Sequence, residues 1–333
     1  MYRDGQQMLT NLEHRFILNH GALGDVLTSL PAIIHARQSV VDKMVLKVYC
    51  SAHQVPLLSH LLAPYGAFEV HDLLEIPNKR EEREGWAGDA STSLNAPLKN
   101  THTRNRVHMV DFAFAFLIDA KPESMAQRSY PTLAPLGPRV LDGRYVVFPV
   151  GATSDNKLFK AAVMGPVIEW AFNKGLLPVL VGSKVSRTFA QNGDGTTEAL
   201  VIRDEVDKLE PQTRAVCIDL REKTTLLELR DLLGHAEAVV GVDGGTLHLA
   251  GTTDANIIYA SGTTHPKHRY IARSGNPNHK IRYVGPRDLE CSGCQSHWTM
   301  TRHDFRFCPY NDNRCMDNLH PDDFINGLKE LGL

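Results

Sequence analysis

Runs of apolar residues alternate with amphipathic segments along most of the chain. In the first part, apolar runs at residues 15–19 and 43–50 flank a segment, residues 25–37, whose apolar positions have helical spacing. Such short, continuous apolar runs are typical of strands that are buried on both faces in a parallel sheet. The pattern predicts a βαβ unit, whose helix can be kinked by Pro31.

The alternation is clearer in the second part of the chain. It predicts strands at residues 144–150, 176–182, 215–220, 238–243 and 256–262. It predicts helices around residues 160–174, 185–193, 225–236 and 245–252, and a last helix near the end of the chain. A stretch rich in Pro and Gly, residues 129–143, predicts a linker. We therefore expect two α/β domains, residues 1–135 and 144–333.

One long segment of the first domain, residues 77–106, is polar, charged and poor in aliphatic side chains, and residues 108–120 after it predict a helix. Loops of this length in compact domains are often functional. A solvated insertion and a lid or acceptor-binding loop are both open interpretations.

Charge and hydropathy exclude some classes of function. Lys and Arg (36) nearly balance Asp and Glu (38), so no global field favours a nucleic acid or an anionic membrane. The chain has no apolar run of signal-peptide or membrane-spanning length. We expect a cytoplasmic protein without a nucleic-acid partner and with at most local, peripheral membrane contact.

The first motif, HGALGDV, places Gly21, Gly24 and Asp25 between the first strand and its helix. A glycine turn lets the backbone approach a ligand closely, and a helix start keeps a carboxylate ionised. Asp25 can therefore act as a general base, or it can simply cap the helix. The motif lacks the third glycine of a dinucleotide-binding fingerprint.

The second motif, GATSDNKLFK, places Thr153, Ser154 and Lys157 around a predicted helix start. Hydroxyl donors beside one point charge can bind phosphate, although a polar loop with a surface lysine explains the same residues.

The third motif, AVVGVDGGTLHLAG, ends an apolar strand in Asp243 and opens a helix through Gly244, Gly245 and Thr246. Backbone N–H groups at such a start bind pyrophosphate well. We expect Asp243 to order the loop or to bind a sugar hydroxyl, and His248 to contact a phosphate or a sugar.

Four of the six cysteines cluster near the end of the chain, at Cys291, Cys294, Cys308 and Cys315. Four thiolates with one CxxC pair match a tetrahedral zinc or mononuclear iron site. Such a site is structural rather than catalytic because four thiolates close the coordination sphere. Free thiols and disulfides are the alternatives.

Taken together, these motifs resemble glycosyltransferase family 9, the heptosyltransferases of lipopolysaccharide core assembly. GALGDVLTSLPAI, GATSDNKLF, DLREKTTLLELRDLLGHA, VVGVDGGTLHLAG and the cysteine-rich end follow in the order of the family, from residue 16 to about residue 330. The resemblance implies a GT-B fold, in which two Rossmann-like, doubly wound parallel-sheet domains face a central cleft. The acceptor is then expected on the N-terminal side and the nucleotide sugar on the C-terminal side.

The resemblance also implies the reaction. It indicates an inverting glycosyltransferase, without a catalytic metal, that moves heptose from ADP-heptose to a hydroxyl of a lipopolysaccharide-core-type acceptor. The catalytic aspartate of the family falls on Asp25. Its donor-binding residues fall on Thr153, Lys157, Asp243, Gly244, Gly245 and His248.

Two departures from the family leave alternatives open. Gly244 stands where the family usually has Ser or Thr, and residues 183–187 offer no acid where some relatives have a ribose-binding glutamate. The donor can therefore be another nucleotide sugar, and the acceptor can be a glycan, a lipid-linked glycan or a protein. A nucleotide-sugar epimerase and a non-catalytic, metal-binding interaction protein are the interpretations of a different class.

Overall fold

The computed structural model of the chain describes residues 15–18, 23–39, 45–76, 109–118, 120–184, 188–191, 197–269, 271, 273, 280–294, 308, 310 and 312–333. The chain divides into two compact units. The first comprises Met1–Pro131 and Ala272–Ser274, and the second Thr132–Ile271 and Gly275–Leu333.

The first unit contains a three-stranded parallel sheet in the order β1-β2-β3. Its elements are β1 (Arg15–Ile17), α1 (Leu23–Gln38), β2 (Leu46–Cys50), α2 (Val55–Leu62), β3 (Phe68–Asp72) and α3 (Met109–Ile118). Helix α1 continues through Pro31, and all of its residues from 26 to 34 are buried, among them Val26, Leu27 and Leu30 at 0% exposure. It packs against α3, where His35 contacts the ring of Phe114. This packing orients the first turn of α1, which carries Asp25.

The second unit is larger and is built around a six-stranded sheet. Its strands are β4 (Tyr145–Pro149), β5 (Leu177–Val181), β6 (Thr188–Gln191), β7 (Thr197–Leu200), β8 (Ile218–Asp219), β9 (Ala238–Val242), β10 (Asn256–Ala260) and β11 (Ile281–Val284). Its helices are α4 (Ala161–Asn173), α5 (Pro211–Ala215), α6 (Leu226–Gly234), α7 (Gly245–Ala250), α8 (Arg314–Asp317) and α9 (Pro321–Glu330). Strands β6 and β7 form a separate antiparallel pair.

The strand order of the large sheet, β11-β10-β9-β4-β5-β8, makes it doubly wound. All of its strand pairs are parallel. From β4 the chain proceeds outward through β5 to β8, then returns to β9 on the other side of β4. The order therefore reverses between β4 and β9, and in open α/β sheets ligands bind at the carboxyl ends of the strands at such a point.

The core of the second unit lies between this sheet and helices α4 and α9. Val146 and Ile258 from the strands, Met164 from α4 and Phe324 from α9 are all completely buried. Phe159 stacks on Phe324 with ring centroids 5.4 Å apart. This packing holds the segment between β4 and α4 against the sheet.

Some predicted elements differ from the structure. The helix predicted around residues 185–193 is wrong over residues 188–191, which form strand β6 and pair antiparallel with β7. Thr188 and Phe189 favour a strand. The strand predicted at 215–220 is reduced to β8, since Pro211 opens the short helix α5 before it.

Candidate functional site

The second and third motifs occupy the point where the strand order reverses. β4 and β9 are paired neighbours, with Val146 opposite Ala238, so the segments that follow them leave the same edge of the sheet. The segment after β4 contains a short 3₁₀ turn, Asp155–Lys157, and the segment after β9 begins with Asp243. The sheet topology therefore brings together two motifs that are far apart in the sequence.

Asp243 is the centre of the contacts at this position. Lys157 Nζ lies 2.8 Å from Asp243 Oδ2, and the hydroxyl of Tyr259 donates a hydrogen bond to Oδ1. His248 Nε2 lies 3.6 Å from the same Oδ1. The backbone N–H of Asp243 donates to Ala260 O (2.8 Å), which continues the pairing of β9 with β10. The carboxylate is therefore fixed in position, and its partners converge on it from three elements.

The electrostatics explain how a carboxylate is tolerated in this place. Asp243 is 6% exposed, and burial alone would raise its pKa. Lys157, His248 and Arg269 outweigh this effect and hold the pKa of Asp243 well below its usual value. Burial and the neighbouring Asp243 carboxylate raise the pKa of Tyr259 well above its usual value, so Tyr259 stays a hydrogen-bond donor.

A shallow pocket lies beside this ion pair. Its walls are formed by Lys157 and Asp243, by Asn156, and by the segment after β10. The Lys157 side chain is 35% exposed, so its ammonium group can be approached from solvent while it remains paired with Asp243.

A carboxylate occupies the start of α4, the other candidate anion site in this region. Glu205, 7% exposed, accepts a hydrogen bond from the backbone N–H of Ala161 (2.8 Å) and from Lys208 Nζ (3.0 Å). Lys160 lies 3.6 Å away. Because Glu205 already satisfies this helix start, a phosphate is better accommodated by Lys157 and the glycine segment after β9.

The remaining residues of the two motifs surround the ion pair. Thr153 is exposed, in the bend that precedes the 3₁₀ turn. Gly244 has extended backbone before α7, Gly245 is the first residue of that helix, and Thr246 is half-buried in its first turn. His248 is buried, and its ring makes an edge contact with Tyr259 at 6.2 Å.

The first motif lies in the first unit. Asp25 is half-buried in the first turn of α1, where the helix dipole favours an ionised carboxylate. Its backbone carbonyl accepts hydrogen bonds from the hydroxyls of Thr28 (2.8 Å) and Ser29 (3.0 Å). The prediction that Gly24 belongs to a turn before the helix is wrong, because α1 begins at Leu23. Gly21 and residues 77–106 lie outside the described residues.

The four clustered cysteines are near one another but are not arranged as ligands. Burial, together with Cys294, Cys308 and Cys291, raises the pKa of Cys315 to about 12, which places all four cysteines within electrostatic range. All six cysteines of the chain are free thiols. Within the part of the chain that the structure describes, no three His, Cys, Asp or Glu side chains are placed to hold a metal ion.

The cysteine segment also borders the pocket. Gly262 forms part of the pocket wall and approaches Cys315 so closely that a Cβ on Gly262 would lie 2.8 Å from the Cys315 Sγ. Gly293, between Cys291 and Cys294, donates its backbone N–H to Gly262 O (2.8 Å). The neighbour of Cys315, Met316, lines the pocket itself.

Comparison with known families decides the classification. The sequence profile of glycosyltransferase family 9 (heptosyltransferase) matches residues 79–297, more than half of the chain. The chain belongs to glycosyltransferase family 9. The resemblance inferred from the motifs is thereby confirmed, and this family 9 protein is a glycosyltransferase. Among curated proteins, a sequence search finds no significant match.

Solved structures agree on the fold. One similar structure is titled iron-containing dodecameric glycosyltransferase TibC, from enterotoxigenic E. coli H10407; its TM-score is 0.68 at 19% sequence identity. The match covers 97% of this chain and 77% of the TibC chain. E. coli ADP-heptose lipopolysaccharide heptosyltransferase II has a TM-score of 0.61 at 16% identity, and the match covers 96% of this chain and 98% of the heptosyltransferase II chain. E. coli heptosyltransferase WaaC with ADP has a TM-score of 0.55 at 15% identity, and the match covers 96% of this chain and 99% of the WaaC chain. The family 9 protein therefore has the predicted α/β, GT-B fold. No helix in its described part is long and apolar enough to cross a membrane.

Two members of the site were not predicted from the sequence. Tyr259 lies in a predicted strand but has no predicted role, and neither has Arg269. A tyrosine within a buried strand needs a partner for its hydroxyl group, which is the signal that could have identified Tyr259. No local pattern marks Arg269.

Proposed function

We propose that this family 9 enzyme transfers heptose from ADP-heptose to a hydroxyl of a lipopolysaccharide-core-type acceptor, with inversion at the anomeric carbon. The observation that carries the proposal is the Lys157–Asp243 ion pair at the point where the strand order of the large sheet reverses. Family membership supports a nucleotide-sugar donor and a glycan acceptor. A TibC structure, titled as a complex with ADP-D-beta-D-heptose, supports the choice of donor (18% identity).

In this proposal, the donor pyrophosphate contacts Lys157 and the backbone amides of Gly245 and Thr246, and Thr153 supplies a hydroxyl. Negative charge grows on the phosphate oxygen as the bond to the sugar breaks. Lys157 stabilises that charge better than water does, because Asp243 already holds its ammonium group in place. Asp243 orders the loop, and His248 is available to the phosphate or the sugar.

Asp25 is the general base in this proposal. Its place in the first turn of α1 keeps the carboxylate ionised, so that it can take the proton of the attacking acceptor hydroxyl. Asp25→Asn keeps the shape of the side chain and removes its basicity. We expect donor binding, measured by calorimetry, to be unchanged, and turnover to fall by roughly 100-fold or more.

A matched control is Asp142→Asn, which changes an exposed aspartate of the second unit and should leave turnover unchanged. Wild-type turnover of the Asp25→Asn variant would reject Asp25 as the base. A reaction that consumes nucleotide sugar without any acceptor, and yields an isomeric nucleotide sugar, would favour an epimerase instead.

One observation favours a second donor. Gly244 offers no hydroxyl where family 9 usually has one, so recognition of the donor differs at this loop. Another nucleotide sugar, and a protein or lipid-linked acceptor, therefore remain alternatives. A thermal-shift screen with ADP-, UDP-, GDP- and CDP-sugars separates the donors, since the true donor stabilises the folded state by mass action. Stabilisation by a UDP-, GDP- or CDP-sugar alone would contradict ADP-heptose as the donor.

We also propose that Cys291, Cys294, Cys308 and Cys315 bind a structural zinc or iron ion. Their donor chemistry fits such an ion, and the four cysteines lie near one another, but their side chains must rearrange to become ligands, since no three described side chains are placed to hold a metal ion. We expect elemental analysis of the purified protein to find about one metal ion per chain, and Cys294→Ser to lose it. Chelation of the metal should also lower the melting temperature. A metal-free wild-type protein with unchanged stability would contradict the proposal.

A further inference from the structure

The second strand of a nucleotide-binding βαβ unit has a recurring role. In such units an acidic side chain at the carboxyl end of the second strand binds the ribose hydroxyls of the nucleotide. Here β4 and β5 are the first two strands, and they are paired side by side. The residues directly after β5 are Gly182, Ser183 and Lys184, so this segment supplies no acid.

The structure places an acid at this position from another segment. Glu222 lies in the turn after β8, the strand that pairs with β5 on its other side. Its backbone N–H donates to Gly182 O (2.9 Å), and the Lys184 N–H donates to Glu222 Oε1 (3.2 Å). These two hydrogen bonds fix the Glu222 carboxylate at the carboxyl end of β5.

The backbone around Glu222 is strained. Glu222 has φ 61°, in the left-handed region that non-glycine residues rarely adopt. Such strain persists only where the surrounding structure imposes it, and it is concentrated at functional sites. Gly182, which accepts the Glu222 N–H, has φ 131°, and a Cβ on it would lie 2.0 Å from Val150 O. The ends of β4 and β5 are therefore in contact, so that Glu222 is one strand away from the segment that carries Lys157.

Neighbouring ion pairs support the turn. Arg221 lies 2.8 Å from Asp219 and 2.9 Å from Asp204, and it is itself buried. Lys223 Nζ donates to Asp219 O (2.7 Å). These contacts hold the residues on both sides of Glu222, while its carboxylate stays exposed at the edge of the sheet.

We propose that Glu222 binds the ribose hydroxyls of the donor nucleotide and selects ribonucleotides over their deoxy forms. The proposal rests on the donor site described above, and it assigns to a residue after β8 the contact that the segment after β5 cannot make. Pyrophosphate at Lys157 and ribose at Glu222 would then lie across adjacent strand ends, in the order in which they are linked in a nucleotide.

The test uses the full-length protein and isothermal titration calorimetry. The probes are ADP, 2′-deoxy-ADP, 3′-deoxy-ADP and inorganic pyrophosphate, with UDP, GDP and CDP as further nucleotides. We expect the wild-type protein to bind ADP about 10-fold more tightly than a deoxy analogue, because a hydrogen bond to a charged group is lost. Glu222→Gln should weaken the binding of ADP about 10-fold, remove the discrimination between ADP and its deoxy analogues, and leave the binding of pyrophosphate unchanged. Glu210→Gln, at an exposed position before α5, is the matched control.

A second variant separates recognition from folding. Glu222→Gly should also lose the discrimination, but it should raise the melting temperature, because glycine adopts φ 61° without strain. Discrimination that persists in Glu222→Gln, or that is absent from the wild-type protein, would overturn the role of Glu222 and leave the proposed function intact. A wild-type protein that binds none of the nucleoside diphosphates would overturn both.

Discussion

Replacing Asp243 by Asn tests whether this buried carboxylate organises the donor site. The variant keeps the size and shape of the side chain but removes its charge. The amide oxygen can still accept a hydrogen bond from Lys157, and the N–H₂ group can donate to the Tyr259 hydroxyl, which then loses its own acceptor. The substitution therefore leaves the charge of Lys157 without its negative partner at the centre of the site.

The structure indicates the size of the effect. Removing one partner of a fully buried ion pair costs about 3–5 kcal/mol of folding free energy. The Lys157 side chain is 35% exposed, so solvent screening reduces this value, and we expect about 2 kcal/mol. For a unit of about 200 residues, this lowers the melting temperature by roughly 4–8 °C.

The effect should depend on pH in a defined direction. The folded-state pKa of Asp243 lies well below its usual value, so the stabilisation is fully present above the unfolded-state pKa of about 4. It is lost as the pH falls further toward the folded-state pKa. The difference in melting temperature between the wild-type protein and Asp243→Asn should therefore be largest near pH 7 and narrow below about pH 4.

Scanning calorimetry at several pH values, together with calorimetric titration of ADP, measures both consequences. We expect weaker ADP binding, because Lys157 loses the partner that holds its ammonium group. Asp207→Asn is the matched control, since this side chain is 93% exposed and forms only a surface pair with Arg214. Melting temperatures at pH 7 that agree within about 1 °C for the wild-type protein and Asp243→Asn would refute the reasoning.

Two further predictions concern the framework of the second unit. Arg230 is completely buried and donates hydrogen bonds to the backbone carbonyls of three residues. Arg230→Met should therefore lower the free energy of unfolding by about 3 kcal/mol and the melting temperature by roughly 6–12 °C. A change in melting temperature below about 2 °C would contradict this prediction. Gly182→Ala places a Cβ 2.0 Å from Val150 O, whereas Gly143→Ala, also at positive φ, meets its nearest atom at 3.7 Å. We expect Gly182→Ala to lower the melting temperature by at least about 5 °C more than Gly143→Ala, and equal losses would contradict the clash.

Local sequence patterns predicted much of the architecture. Short, mostly apolar runs identified β1, β2, β4, β5, β9 and β10, because strands buried on both faces have few polar positions. The patterns failed where tertiary context decides. The short strand β3 is only half-buried and shows no apolar run, and residues 188–191 form a hairpin strand rather than part of a helix.

The sequence by itself determined the family, the βα alternation and the glycine-containing segments that follow its strands, because these depend on residues close together in the chain. Only the tertiary structure decided which of these segments meet. Lys157 and Asp243 are 86 residues apart and come together because β4 and β9 are neighbours in the sheet. Tyr259 joins them because β10 pairs with β9, and Glu222 reaches the end of β5 because β8 pairs with it. Strand order arises from long-range packing, which no local pattern of residues encodes.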